Sequence, residues 1–245
     1  MMVNQKLMIA YDGSAYHGWQ VQDNADTVQG RFEKAVERVF GEHIAVHGCS
    51  RTDTGVHANE FCLNFRTELE INDENLVMAL NTYLPDDIAV LKCEKVPLDF
   101  HARFDCVSKQ YIYRIKEGKI KDPFNYNKVL LYKYPLIVDE MKKASAYFVG
   151  KHDFSAFCAS GSTASSNVRT VKSADVKKIG DEVVFTVEAD GFLYNMVRIM
   201  TGTLLYVSQS KIKADDIEYI IESKDRTKAG ITAPAHGLYL NKVNY

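Results

Sequence analysis

The stretch LMIAYDG (7–13) reads as a β-strand ending in a turn, and the elements that follow it decide the fold. Asp26 stands where it can cap a helix, with Gln29 at the capping-box position and Val28, Phe32, Val36 and Phe40 recurring on one face. Strands are predicted over 43–49 and 60–66, linked by SRTDTGVHA (50–58). A helix near 73–82 and a strand near 88–95 (IAVLKCEK) complete the order βαββαβ, the ferredoxin-like unit.

The second half repeats that order. YIYRIKE (111–117) is predicted as a strand and 138–149 as a helix. VRTVKSADVKKIG and EVVFTVEAD form a hairpin around Gly180-Asp181. An apolar helix over 193–208, a shorter one over 214–223 and a closing strand in HGLYLNKVNY follow. The expectation is an α+β protein of two ferredoxin-like lobes, residues 1–105 and 106–245, with sheets side by side around a central cleft. Residues 97–110 look like the connection, and SGSTASSN (160–167) like a mobile loop.

Composition bounds the chemistry. The chain has 245 residues, 46% of them apolar and 25% charged, which is a globular profile. No run is long enough to span a membrane and the start lacks the apolar core of a signal peptide, so a cytoplasmic protein is expected. Cys49, Cys62, Cys93, Cys106 and Cys158 are scattered, odd in number and without a CxxC pair; buried structural thiols are expected, with no disulfide framework and no metal site. The net charge of −2 hides an asymmetry. Residues 1–105 hold 9 Lys/Arg against 17 Asp/Glu, whereas 106–245 hold 21 against 15. A basic half can attract a polyanion although the whole is slightly acidic.

In SRTDTGVHA an isolated Asp53 would be read as a turn-former. Arg51 two residues before it, Gly55 and His57 make it resemble a held carboxylate instead. Asp-Thr-Gly is also the tripeptide of aspartic proteases, which pair two of them. Only one occurs here, and a neighbouring guanidinium opposes the shared-proton state that such a pair needs.

Taken together, these residues resemble the active-site motif of the TruA family of tRNA pseudouridine synthases, GRTDxGVHA. YDGSAYHGWQVQ (11–22), FHARFDCVSKQYIYRI (100–115), KHDFSAF (151–157), GFLYNMVRIMTGTL (191–204) and PAHGLYLNKVNY (234–245) are similar to that family's other blocks, in order and over nearly the whole chain. The resemblance implies Asp53 as catalytic nucleophile, with Tyr111, Arg51 and Arg198 binding substrate. It further implies tRNA uridines at positions 38–40 of the anticodon stem-loop as targets, a homodimer and no cofactor. Ser50 stands where Gly is usual and Thr54 where Ala is common, which leaves a different target choice open. A non-catalytic tRNA-binding paralogue is the other alternative, and the intact Asp53, Tyr111 and Arg198 speak against it.

The residue chemistry agrees with that resemblance. A redox-neutral rearrangement of uridine needs a carboxylate that stays anionic in a dry pocket, and Arg198 can supply the cation. Tyr111 can stack on an extruded base. Arg51 can fill the vacated space or hold a phosphate. His57 can do likewise or only satisfy its loop. Tyr113 is expected in the core and Trp19 as a packing anchor. Lys109, Arg114, Lys116, Lys119 and Lys121 form a basic run that could line the RNA track, while His152 and Asp153 receive no chemical role.

Overall fold

The computed structural model describes residues 2–245, and among them the protein is α+β, with ten strands and five α-helices. The chain divides into two compact units, residues 1–107 with 239–245 and residues 108–238.

In the first unit the order is β1 (Val3–Tyr11), α1 (Val28–Phe40), β2 (His47–Gly48), β3 (His57–Thr67), α2 (Asp73–Tyr83) and β4 (Ile88–Val96). β1 runs antiparallel between β4 and β3, and β2 pairs with the far side of β3. Leu7 lies opposite Leu63 and Ile9 opposite Phe61, all fully buried, so period-2 alternation aims one face of the sheet at the helices. α1 answers with Val28, Phe32, Ala35 and Val36, and α2 with Leu76 and Leu80. Each such large apolar side chain stabilises the fold by about 1.5–3 kcal/mol on burial.

Two local expectations shift. Thr27, not Asp26, caps α1, its hydroxyl accepting from Gly30 N–H at 3.3 Å, while Asp26 pairs with Arg31. Of the strand expected over 43–49 only His47–Gly48 pairs with a neighbour. A register shift falls where β3 begins, between the Ile9–Phe61 and Tyr11–Ala58 pairs. Such bulges re-aim a strand end, and the SRTDTGVHA loop issues from this one.

The second unit contains β5 (Ser108–Glu117), β6 (Leu130–Tyr132), α3 (Val138–Ala146), β7 (Gly150–Asp153), β8 (Val168–Ile179), β9 (Glu182–Ala189), α4 (Met196–Ser208) and α5 (Asp216–Ser223). β8 and β9 form the expected hairpin, closed by Gly180-Asp181 with Gly180 at φ +61°. β5 lies antiparallel to β9 and sets Tyr111 opposite Val187 and Tyr113 opposite Phe185. The closing strand β10 (Leu238–Asn244) passes from Tyr239 onward into the first unit, parallel to β3 at His57–Ala58. It brings Tyr239 onto the His57 ring, with centroids 4.5 Å apart.

Candidate active site

In the first unit, the loop that carries Asp53 is gripped by the segment 11–19. The buried Tyr11 phenol and Thr52 hydroxyl are 2.8 Å apart, Trp19 N–H donates to Thr52 O at 3.1 Å, and Gly55 N–H donates to Tyr16 O at 3.3 Å. Gly18, at φ +86°, passes so close that a Cβ there would overlap the Thr52 carbonyl. Trp19 is 2% exposed and stacks on Phe61 at 4.1 Å, which fixes the gripping segment from behind. Asp53 does open a turn, as its sequence suggested. Val56 N–H donates to the Asp53 backbone carbonyl at 3.1 Å, and Gly55 takes φ +77°. The turn is closed by main-chain atoms of Asp53, and the residue is half-buried.

The neighbours sort into different roles. His57 is 1% exposed and its Nδ1 accepts from Gly13 N–H at 3.0 Å. With Nδ1 as acceptor, its 3.1 Å approach to Asp12 is a contact and not a second donated bond. His57 therefore satisfies its loop and is not available to hold a phosphate. Arg51 is exposed and makes no ion pair among the described residues, so its guanidinium is open to a polyanion.

In the second unit, Tyr111 is 7% exposed and meets Phe192 edge-on at 5.1 Å. Tyr113 is fully buried and donates to Pro234 O at 2.7 Å; burial pushes its phenol up, with Arg198 acting the other way. Arg198 is half-buried on α4. Its Nε donates to Ala233 O at 2.8 Å and its Nη1 to Asn195 Oδ1 at 2.6 Å, while Ala233 N–H returns a bond to Arg198 O at 3.1 Å. Glycines on α4 and in the segment before β10 let two stretches of backbone meet. A Cβ on Gly202 would overlap the Ile231 carbonyl, and one on Gly230 would meet the Gly202 backbone. Backbone thus packs on backbone, and Gly230 N–H donates to Thr203 Oγ1 at 2.9 Å.

The basic run is partly spent. Arg114 pairs with Glu182 at 2.7 Å and Lys116 with Asp181 at 2.7 Å, acids that the β8–β9 hairpin brings alongside; Lys119 and Lys121 stay exposed. Asp153, given no role from sequence, organises its own loop by accepting from Ser155 N–H and Oγ–H and pairing with Lys224. What sequence reasoning missed was the grip of residues 11–19 on the Asp53 loop. Its signal was the two glycines, Gly13 and Gly18, in YDGSAYHGW.

Among the described residues no helix is long and apolar enough to cross a membrane. A family model described as tRNA pseudouridine synthase matches residues 7–105 and 144–245. The tRNA pseudouridine synthase A of Thermoanaerobacter sp. (strain X514) is 50% identical over 244 residues, covering 100% of both chains. Those of Clostridium acetobutylicum and Listeria monocytogenes serovar 1/2a are 48% and 46% identical, again over 100% of both chains. A chain of a solved Cbf5-Nop10-Gar1 complex aligns with 97% of this chain and 58% of its own length, at 11% identity and a TM-score of 0.34, which adds nothing to the family evidence. On a motif set read in order, a family match to most of the chain and relatives alike from end to end, the chain belongs to the TruA family of tRNA pseudouridine synthases.

Proposed function

We propose that this enzyme isomerises uridines 38–40 in the anticodon stem-loop of tRNA, with Asp53 as nucleophile. The observation that carries this reading is the grip on the Asp53 loop. A half-buried carboxylate follows Thr52, whose hydroxyl and carbonyl are both held from the 11–19 segment. Preorganisation of this kind is what a charged nucleophile in a water-poor site requires.

The reaction breaks N1–C1′, turns the uracil and joins C5 to C1′; the C5 proton leaves as N1 gains one, so no redox partner is needed. In this reading the target nucleotide is flipped out of its stem-loop. Tyr111 stacks on the extruded base, an interaction of about 1–3 kcal/mol. Arg198, held by Ala233 and Asn195, supplies the positive charge that keeps Asp53 anionic. Arg51, exposed and without an ion pair among the described residues, takes an RNA phosphate or the space the base vacates.

The same reading has two ferredoxin-like lobes, residues 1–107 with 239–245 and residues 108–238. The strand order β4-β1-β3-β2 of the first unit supports it. It also includes a cytoplasmic homodimer that works without a cofactor. Incubation with unmodified tRNA, followed by chemical mapping of pseudouridine, tests it. Modification confined to positions 38–40 is expected; modification only elsewhere overturns the target assignment.

A further inference from the structure

The second unit holds a cavity of about 740 Å³ between the 158–167 loop and the 226–232 segment. Its polar lining comes from the hydroxyls of Ser155, Ser160, Ser162 and Thr232, the amide of Asn167 and the guanidinium of Arg226, and no carboxylate lines it. Arg226 is half-buried and fixed: Nη1 donates to Gly230 O at 2.8 Å and Nη2 to Thr232 Oγ1 at 3.2 Å. Those bonds use neutral acceptors, and Arg226 has no ion pair among the described residues. The carboxylates nearest in sequence are already engaged. Asp225 accepts from Thr227 N–H and Oγ–H, and Asp153, behind Ser155, is paired with Lys224 at 3.0 Å. The Ser155 hydroxyl is spent on Asp153 and accepts from Asn167 Nδ2 at 2.9 Å, which leaves the hydroxyls of Ser160, Ser162 and Thr232 beside a positioned guanidinium, a set complementary to a phosphate. The volume suits one nucleotide unit.

The cavity is also coupled to the proposed chemistry. Thr232 in its wall precedes Ala233, which exchanges two hydrogen bonds with Arg198. Ala159 N–H, from the opposite wall, donates to Tyr194 O just before α4 at 3.1 Å. We propose that this cavity binds a backbone phosphate of the tRNA near the reacting uridine, with Arg226 as its cation. The proposal rests on the reading of Arg198 as an active-site residue.

Binding of unmodified tRNA to the full-length protein, measured from low to moderate salt, tests it in Arg226→Gln, Arg226→Lys and Ser160→Asp. Ser160 is exposed, so its variant folds even if loss of the Gly230 contact harms Arg226→Gln. Arg226→Gln is expected to weaken binding about ten-fold at low salt and to reduce the slope of log K against log salt by about 0.7–0.9, one phosphate contact. Arg226→Lys should recover part of that loss, and Ser160→Asp should weaken binding several-fold by repulsion. Wild-type affinity and slope in both Arg226→Gln and Ser160→Asp overturn the proposal. Submillimolar binding of inorganic phosphate with unaltered tRNA affinity in the variants overturns it in favour of a free-anion site. A wild type that makes no pseudouridine strikes the proposed reaction, whereas an active wild type beside variants of unchanged affinity strikes this cavity alone.

Discussion

The Tyr11 phenol and the Thr52 hydroxyl meet at 2.8 Å in a buried setting, so the last residue of β1 holds the residue immediately before Asp53. Tyr11→Phe deletes that bond and keeps the ring that packs on Phe61 at 5.7 Å. The expected outcome is a stability loss of about 1 kcal/mol and a fall in kcat of about ten-fold, with KM for tRNA little changed. Thermal melts and steady-state kinetics on one preparation check it; a wild-type kcat would deny the bond a positioning role.

Gly18, which lies against the Asp53 loop, and Gly41, which ends α1, form a matched pair for comparison. Both take positive φ, +86° and +77°, but a Cβ on Gly18 overlaps the Thr52 carbonyl whereas one on Gly41 meets nothing within 4 Å. Gly41→Ala should cost about 1 kcal/mol for its backbone conformation alone. Gly18→Ala should cost about 1–3 kcal/mol more and lower turnover, because the Asp53 loop must move. Urea denaturation compares the two, and equal losses would show that Gly18 does not set the loop.

Arg198→Ala should impair catalysis more than folding. It removes donors to Ala233 and Asn195, about 1–3 kcal/mol of stability. Pseudouridine formation should fall about 100-fold or more under single-turnover conditions, with tRNA affinity less affected. A rate within two-fold of wild type, in a variant that melts normally, takes Arg198 out of the site.

How much of this was legible beforehand varied with the physics. Periodicity located β1, α1, β3 and the β8–β9 hairpin, since each buries one regular face. The cap of α1 slipped by one residue because Asp26 and Thr27 are both competent caps; the choice followed from Arg31, which claims Asp26. Order in the sequence places the final strand with the second half, yet from Tyr239 it belongs with the first unit, a long-range pairing that no local pattern encodes. Of the proposed site, residue types single out Asp53 and Arg198. The hydrogen bonds from 11–19 and the backbone-on-backbone contact of Gly202 with Ile231 did not show, because they join segments far apart in sequence.

Burial also makes an alkaline prediction. Desolvation pushes the Cys62 thiol up to about 11 and the Cys93 thiol up to about 12, from an ordinary value near 9.0. Below pH 9 both folded and unfolded chains keep the proton, and this contribution to stability is complete. Above it the unfolded chain releases a proton that the folded chain retains, so stability falls as pH rises towards the folded values, by up to about 1.4 kcal/mol per pH unit per thiol. Urea midpoints between pH 8 and 10.5 should decline, and less steeply in Cys62→Ala and Cys93→Ala. A slope unchanged in both variants would contradict it.

If the Asp53 carboxylate is the nucleophile, single-turnover conversion collapses in Asp53→Asn. The amide keeps the side chain's size while removing its charge. The expected result is tRNA binding within a few-fold of wild type, an unchanged melting temperature and a rate of pseudouridine formation reduced by about 10³-fold or more. Conversion at the wild-type rate by a folded, tRNA-binding Asp53→Asn enzyme would exclude Asp53 as the nucleophile.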